Sequence, residues 1–313
     1  MTDWLPLLLL AGGGVACLLG IGLERWTAAQ DRRRLPMPGQ HVQVGETLLH
    51  ANLLGRRNHA AHPVLVMDGG LVRGSLAWAE VVAALGPGWL IVVFDRAGHN
   101  WSTRAVGPRN AEVNLAEQRE MLAQLHLAPP WLLVAHGYAA HIAQMHAARH
   151  PGDVAGLVLV DPLPGPMAAA CLRSGFARSL WWKVPAARVG LWRLARHLPA
   201  QPADPPAPAE PLWQSAKDLA ASRAELASLV RDVAAADGAP PPAQPCLIVA
   251  GTAPDPSALH HLAARLPQAS LRLIEPPGHG TPWSAPAAVA QAIREVAGRI
   301  ATPGDRDRAP PGA

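Results

Sequence analysis

The sequence predicts an α/β protein: a mostly parallel central sheet of about eight strands flanked by helices, with an inserted helical cap and an N-terminal transmembrane helix. Three observations carry this. Short runs rich in Val, Ile and Leu alternate with helix-periodic stretches, as strands buried on both faces and joined by crossover helices do. The alternation stops between Pro162 and Gln244, which holds helical patches but no good strand. An uncharged stretch opens the chain. At 313 residues, half of them hydrophobic, the chain accommodates one large domain with an insertion, or two small ones.

Trp4–Leu23 is about 20 residues without a charge, the length that spans a hydrocarbon core. Gly12, Gly13 and Gly14 interrupt it, which membrane helices tolerate. A cleaved signal peptide would start with basic residues, and only Asp3 precedes this run. Cys17 after Gly-Val-Ala has something of a lipoprotein cleavage site, but the apolar run continues past it and the upstream leucine is missing. Arg25 and Arg32–Arg34 put positive charge on the carboxyl side alone. The expectation is a single-pass protein of a bacterial-type inner membrane, held through Trp4–Leu23, with a cytoplasmic body.

Pro36–Gly39 reads as a linker, and His41–Val44 with Thr47–Leu54 as a hairpin around Gly45-Glu46. The expected strands are Val64–Met67, Trp89–Phe94, Trp131–Val134, Val154–Val160, Cys246–Ala250 and Leu271–Ile274. The helical stretches between them are Leu76–Leu85, Ala111–Leu127, Ala139–Arg149, Leu259–Leu266 and Ala287–Ile300. The expected organisation is an anchor and basic segment over 1–35, a core over 36–162 and 245–301, a helical cap over 163–244, and a Pro- and Gly-rich disordered tail over 302–313.

The net charge of +4 comes without a long basic run or a nucleic-acid motif, so no nucleic acid is expected as a partner. Cys17, Cys171 and Cys246 form neither a metal-type spacing nor a disulfide framework. There is no Walker loop, dinucleotide fingerprint or HExxH, so neither a cofactor nor a metal is expected.

Four motifs occur in order. VLVMDGGLVRGSLAW begins at Val64, FDRAGHNWS at Phe94 and WLLVAHGYAAHIAQMHAARHPGDVAGLVLVDP at Trp131, and Pro277–His279 follows the last apolar run. Together they resemble the oxyanion loop, strand-four turn, nucleophile elbow and histidine loop of the α/β-hydrolase fold, from about residue 41 to 300 and thinly across the cap. The resemblance implies that fold and places the site. The family elbow, Gly-x-Ser-x-Gly, presents a serine hydroxyl on a sharp strand-to-helix turn. Here the five positions are Ala135-His136-Gly137-Tyr138-Ala139. Gly137 can take the turn, but it has no side chain with which to form an acyl-enzyme.

By the same resemblance His279 is the general base, with Asp255 orienting it and Asp161 as the reserve acid. Each also has a plainer reading: a loop histidine, a turn residue in Pro-Asp-Pro, and a cap. Gly70 or Leu71, with Tyr138, would supply oxyanion-hole N–H groups. Asp68, where many relatives carry histidine, would oppose an oxyanion if ionised and close. Asn100 replaces a glycine of the strand-four turn and tolerates left-handed backbone.

In the cap, FARSLWWKVPAARVGLWRLARH interleaves tryptophans with Arg and Lys. It fits either a lipid-facing segment or a helix packing tryptophans over a pocket.

Two functions follow. One is a membrane-held binding or interaction subunit that takes a small apolar ligand beneath the cap or a protein partner. The other is a hydrolase of ester or amide substrates, or a lyase, in which His279 with Asp255 activates water. A serine-to-glycine change introduced to trap a ligand fits less well, because Ala135, Ala139 and Asp68 depart from the family pattern too.

Overall fold

The structure is a computed structural model that describes residues 4–55, 62–71, 73–195, 215–252, 256–275 and 278–300. Asp255 and the tail 302–313 therefore lie outside the described residues, as do the Pro/Ala-rich stretch 202–211 and the step 276–277 before His279.

Eight strands form one sheet: β1 Gln40–Val44, β2 Thr47–Gly55, β3 Val64–Asp68, β4 Leu90–Asp95, β5 Trp131–His136, β6 Val154–Val160, β7 Cys246–Gly251 and β8 Ala269–Ile274. Their spatial order is β1-β2-β4-β3-β5-β6-β7-β8. The β1–β2 hairpin joins β4 antiparallel, and every pairing from β4 through β8 is parallel. Every residue of β3, β5 and β7 is buried, which is why these runs read as continuous apolar sequence rather than as alternation.

Among the described residues the helices are α1 Leu5–Arg34, α2 Ala79–Leu85, α3 Ala111–Gln124, α4 Ala139–Arg149, α5 Gly165–Arg173, α6 Gly175–Arg188, α7 Leu191–Ala195, α8 Ala216–Gly238, α9 Ser257–Arg265, α10 Thr281–Ser284 and α11 Pro286–Arg299. One sheet face packs against α3, α4 and α9, with Met121, Leu122, Ala143 and Leu262 in that core. The other face packs against α2 and α11 through Val81, Leu85, Val289 and Ile293. A third apolar cluster joins Tyr138 and Ile142 of the elbow region to Leu180, Val184, Leu226 and Leu229 of α6 and α8. Between β6 and β7 the described residues are helical or coil.

Several boundaries shift by one or two residues from the sequence expectation, such as β8, which begins at Ala269 rather than Leu271, and two others differ for local reasons. The stretch Leu76–Leu85 enters as a 3₁₀ turn over Gly74–Trp78, because Arg73 and Gly74 both have positive φ and tighten the start. The helix expected to run to Leu127 ends at Gln124. His126 takes φ 56°, and its N–H and that of Leu127 turn back to the carbonyls of Ala123 and Leu122. This is a Schellman close with histidine where glycine is usual.

Helix α1 is longer than its apolar stretch and runs unbroken through Glu24 and Asp31. It is one helix long and apolar enough to cross a membrane, with mean hydropathy 2.1 and none of its most apolar window buried.

Gly156, in β6, lies under α11. A Cβ there would stand 2.7 Å from Val296 Cγ1 and 3.2 Å from both Ile300 Cδ1 and Leu132 Cδ1. Gly156→Val is expected to overpack this junction and cost about 1–3 kcal/mol. Thermal unfolding checks it: Tm should fall by several degrees, and an unchanged Tm would contradict the packing of α11 on β6.

Candidate active site

The parallel strands end on one edge of the sheet, and the chain reverses there after β5. Gly137 takes φ 57°, its N–H donates to Val160 O at 2.9 Å, and its carbonyl accepts from Ala140 N at 3.2 Å. The flanking Ala135 and Ala139 are fully packed, so small side chains are what the turn admits. Positive φ strains an L side chain and costs glycine nothing. Gly137 therefore meets the backbone requirement of the bend without strain.

The space above Gly137 belongs to His279. A Cβ on Gly137 would lie 2.9 Å from His279 Nε2, closer than such atoms approach, and 3.9 Å from Gly70 Cα. The imidazole has settled into room that a side chain would need. Loss of hydration, helped by the neighbouring His136 and opposed by Asp161, lowers the His279 pKa to about 4. His279 is exposed as a whole while its ring is tucked against His136 and Gly137, and the ring is neutral at pH 7.

His136, on the strand side of the bend, is buried. Its Nε2 faces His279 O at 3.3 Å and Asp161 Oδ2 at 3.6 Å. A proton on Nε2 serves both acceptors. Its Nδ1 is buried and has no partner among the described residues; it lies against Gly70, where a Cβ would come within 2.6 Å. Gly70 thus has to be glycine for His136 to fit.

Asp161, at the end of β6, takes φ 45°. Its carboxylate accepts from Thr281 N at 2.9 Å, Thr281 Oγ1 at 2.8 Å and Gly251 N at 3.0 Å. Burial pushes its pKa up, but His136, His279 and Thr281 outweigh this and hold it below the usual carboxylate range. Asp161 therefore pins the segment that follows His279. Thr281, which sequence reasoning passed over, is its partner.

Ligand atoms of His136, Asp161 and His279 all lie within 4.8 Å of one another. Donors around a zinc-sized ion, bound at about 2.0–2.2 Å, sit roughly 3–3.5 Å apart. The trio would have to contract to hold a cation.

Asp68 does not face the bend as a free charge. Arg96 Nη1 donates to its carboxylate, and the same guanidinium donates to Gly69 O at 2.6 Å and Gly70 O at 3.0 Å. Its Nε and Nη2 bind Glu225 of α8 at 2.8 and 3.0 Å. His99 Nε2 lies 3.2 Å from Glu225. Arg96 also lies near the Tyr138 ring, whose hydroxyl donates to Asp232 Oδ2 at 2.6 Å. The Tyr138 side chain thus turns toward α8. Its N–H, at the N-cap of α4, belongs to the amides a helix leaves without internal partners.

One guanidinium here serves two buried carboxylates. Glu225 holds the bidentate fork, and Arg96 and His99 drive its pKa far down against the effect of burial. Asp68 is the surplus acid: burial, with Glu225 nearby, outweighs Arg96 and raises its pKa to about 6.

The strand-four turn is a second joint. Asp95 accepts from His50 Nδ1 at 2.6 Å, Ser75 N at 2.8 Å and Asn100 Nδ2 at 2.8 Å. Ser102 Oγ donates to Asp95 O and accepts from His50 N. Asn100 has φ 35°, the left-handed conformation expected of it. Asp218 of α8 accepts its N–H at 2.8 Å. The loop around Gly70, the turn and α8 are thus tied by buried polar contacts. A cavity of about 670 Å³ lined by Arg119, Leu127 and Trp131 lies at the other end of β5, about 20 Å from Gly137 along the strand.

Residues 59–292 match the profile described as the alpha/beta hydrolase family. Among curated proteins the chain is similar to "Uncharacterized protein YqjL" of Bacillus subtilis, 29% identical over 113 residues, 36% of this chain and 45% of that one. It spans less than half the length of the curated relatives it matches, at 45%, 15% and 19%. Among solved structures, the epoxide hydrolase CorEH without ligand superposes with TM-score 0.68 at 16% identity, covering 84% of this chain and 99% of that one. A membrane phospholipase A superposes with TM-score 0.64 at 19% identity, covering 95% and 97%. At these identities the solved structures establish the fold alone.

The charge count of the network generates two predictions. Arg96→Met strands two buried carboxylates and is expected to cost about 3–5 kcal/mol in denaturant unfolding at pH 7. Asp68 binds its proton more tightly in the folded chain than in the unfolded one. Its contribution to stability is therefore full below about pH 4, the ordinary carboxylate value, and is lost as pH rises through about 6. Asp68→Asn should gain on the parent across that window by on the order of 1 kcal/mol per pH unit. A constant difference between the two proteins would contradict the surplus-acid assignment.

Proposed function

This chain belongs to the alpha/beta hydrolase family, and we propose that within it the site has lost covalent catalysis and serves to bind. The protein, in this reading, is a subunit held in a membrane by Trp4–Leu23. Its body lies on the cytoplasmic side, which the basic Arg25 and Arg32–Arg34 favour. The helices between β6 and β7 act as a cap. Between these helices and the core, Leu71, Ile142, Leu163 and Leu226 pack as a buried apolar cluster, which would part to admit a small apolar ligand or a segment of a protein partner.

The observation that carries this is the bend itself. Gly137 offers no nucleophile, and His279 Nε2 occupies space into which the Cβ of a serine would have to push. An acyl-enzyme needs an oxygen or sulfur at that point. In a serine protease, loss of the nucleophile reduces turnover by about 10⁶.

A second reading is favoured by one feature, the neutral His279 facing the bend. A water there could attack an ester or amide carbonyl while His279 takes its proton. The tetrahedral adduct would then expel the alcohol or amine, which recovers that proton. Gly70, Leu71 and Tyr138 would supply the N–H groups for the oxyanion. Asp255 or Asp161 would orient the imidazole.

The two readings separate on one comparison of the native chain with Gly137→Ser, using short-chain aryl esters and a fluorophosphonate probe. We expect the native chain to be inert to both. The serine variant should gain labelling, weakly at first because His279 has to withdraw. Ester hydrolysis by the native chain without labelling would favour the water mechanism, with a rate that falls below about pH 4 as His279 takes up its proton. Labelling of the native chain would overturn both.

A further inference from the structure

Helix α1 is not a free tether. At Gly20 it meets the turn between α6 and α7 backbone to backbone. A Cβ on Gly20 would run into Val189 O, and one on Gly190, itself at φ 76°, would stand 2.7 Å from Gly20 O. Close approach through facing glycines is how apolar helices gain packing where water supplies no driving force. Below that contact Arg193 clamps the same helix. Its Nε donates to Glu24 Oε2 at 2.8 Å and its Nη1 to Asp31 Oδ2 at 2.6 Å. Glu24 and Asp31 are two turns apart on one helix face, so the fork and the glycine contact together fix both height and rotation.

That fixed height has a consequence. Gly20 lies one turn before Leu23, the end of the uncharged stretch, about 4–5 Å along the axis. Where Trp4–Leu23 fills a hydrocarbon core of about 30 Å, the α6–α7 turn is level with the boundary between acyl chains and headgroups. The helices on either side of it carry side chains suited to that level: Leu191 begins α7, and Trp181 and Trp182 lie on α6, about two turns before its end. Leu191 is 58% exposed, Trp181 77% and Trp182 53%. Trp182 contacts Trp192 at 5.3 Å between ring centroids, and Lys183 Nζ lies 4.6 Å from the Trp192 ring. On α6, Leu180, Val184 and Ala187 face inward, while Arg178, Trp181, Trp182 and Arg188 face out. In water such tryptophans keep a large apolar surface wet; at a bilayer interface the same rings are in their preferred setting, with cations beside lipid phosphates.

We propose that the α6–α7 corner is a bilayer-contacting surface. Trp181, Trp182 and Leu191 enter the headgroup–acyl boundary of the phospholipid membrane that holds α1, and Arg178, Lys183 and Arg188 meet its phosphates. The helices over the site are thereby kept at a set distance from the lipid. The inference rests on α1 lying in a membrane, as in the proposed function, and is independent of whether the site is catalytic.

The test uses the full chain in nanodiscs of phosphatidylethanolamine and phosphatidylglycerol. Cys17, Cys171 and Cys246 are replaced by serine or alanine, and one nitroxide at a time is placed through Val15→Cys, Trp181→Cys, Leu191→Cys or Val230→Cys. Each variant should melt within a few degrees of the parent. Power saturation then compares access of oxygen, which favours lipid, with that of a water-soluble nickel chelate. Oxygen access should exceed nickel access at 15, 181 and 191 and reverse at 230 on α8. A lipid-like label at 15 with water-like labels at 181 and 191 overturns the inference and leaves the anchor standing. A water-like label at 15 overturns the anchor and the inference with it. Protection at 191 that grows with protein-to-disc ratio identifies a second copy as the occupant and also overturns it. Adding Gly20→Leu should lift the corner, moving the label at 191 toward nickel while that at 15 stays in lipid. An unmoved label at 191 contradicts the height-setting contact.

Discussion

The site depends on one backbone requirement: β5 must turn into α4 through a residue with positive φ. Gly137 meets it at φ 57°. The requirement is conformational and independent of what the side chain does, so the bend needs no hydroxyl to form. Everything placed around it stays in place as well. Gly70 leaves room for His136, Asp161 holds Thr281, and the segment carrying His279 closes over the glycine. In this account a fold built to present a hydroxyl has kept the stage and lost the group.

The second constraint is electrostatic. Arg96 sits fully buried between Asp68, Glu225 and the carbonyls of Gly69 and Gly70. Breaking such a group apart costs far more than its presence contributes, because each abandoned charge stays out of water. The guanidinium thus joins the loop beside Gly137 to α8, and Asp218 with Lys217 reinforces the same joint at the strand-four turn. Asp68, which the sequence alone set against an oxyanion, is a member of this joint.

How much of this the sequence disclosed follows from the range of each interaction. The strands were legible because burial on both faces leaves unbroken Val, Ile and Leu, and β6 runs over Val154–Val160 as its residues indicate. The bend, the loop around Gly70 and the segment with His279 were legible as spaced motifs, and the structure brings these positions around one point. The position given to Asp255 falls outside the described residues, so its part stays a proposal. The Arg96–Glu225 pair was not legible: its members are 129 residues apart, and nothing local marks Glu225 on an ordinary amphipathic helix. Nor was the contact of Gly20 with Gly190, since a glycine's close neighbour leaves no trace in the sequence around it. The end of α3 at Gln124 escaped because His126, just beyond it, takes the left-handed place that glycine normally signals.

The claim that most else hangs on is that no acyl group is ever borne by this chain. Intact-protein mass spectrometry, on the unmodified protein quenched while it is incubated with an activated acetate ester, addresses it directly. The account predicts an unchanged mass at every time point. An acetyl-sized increment that builds up, decays with turnover and maps to the peptide spanning β5 and α4 would contradict it.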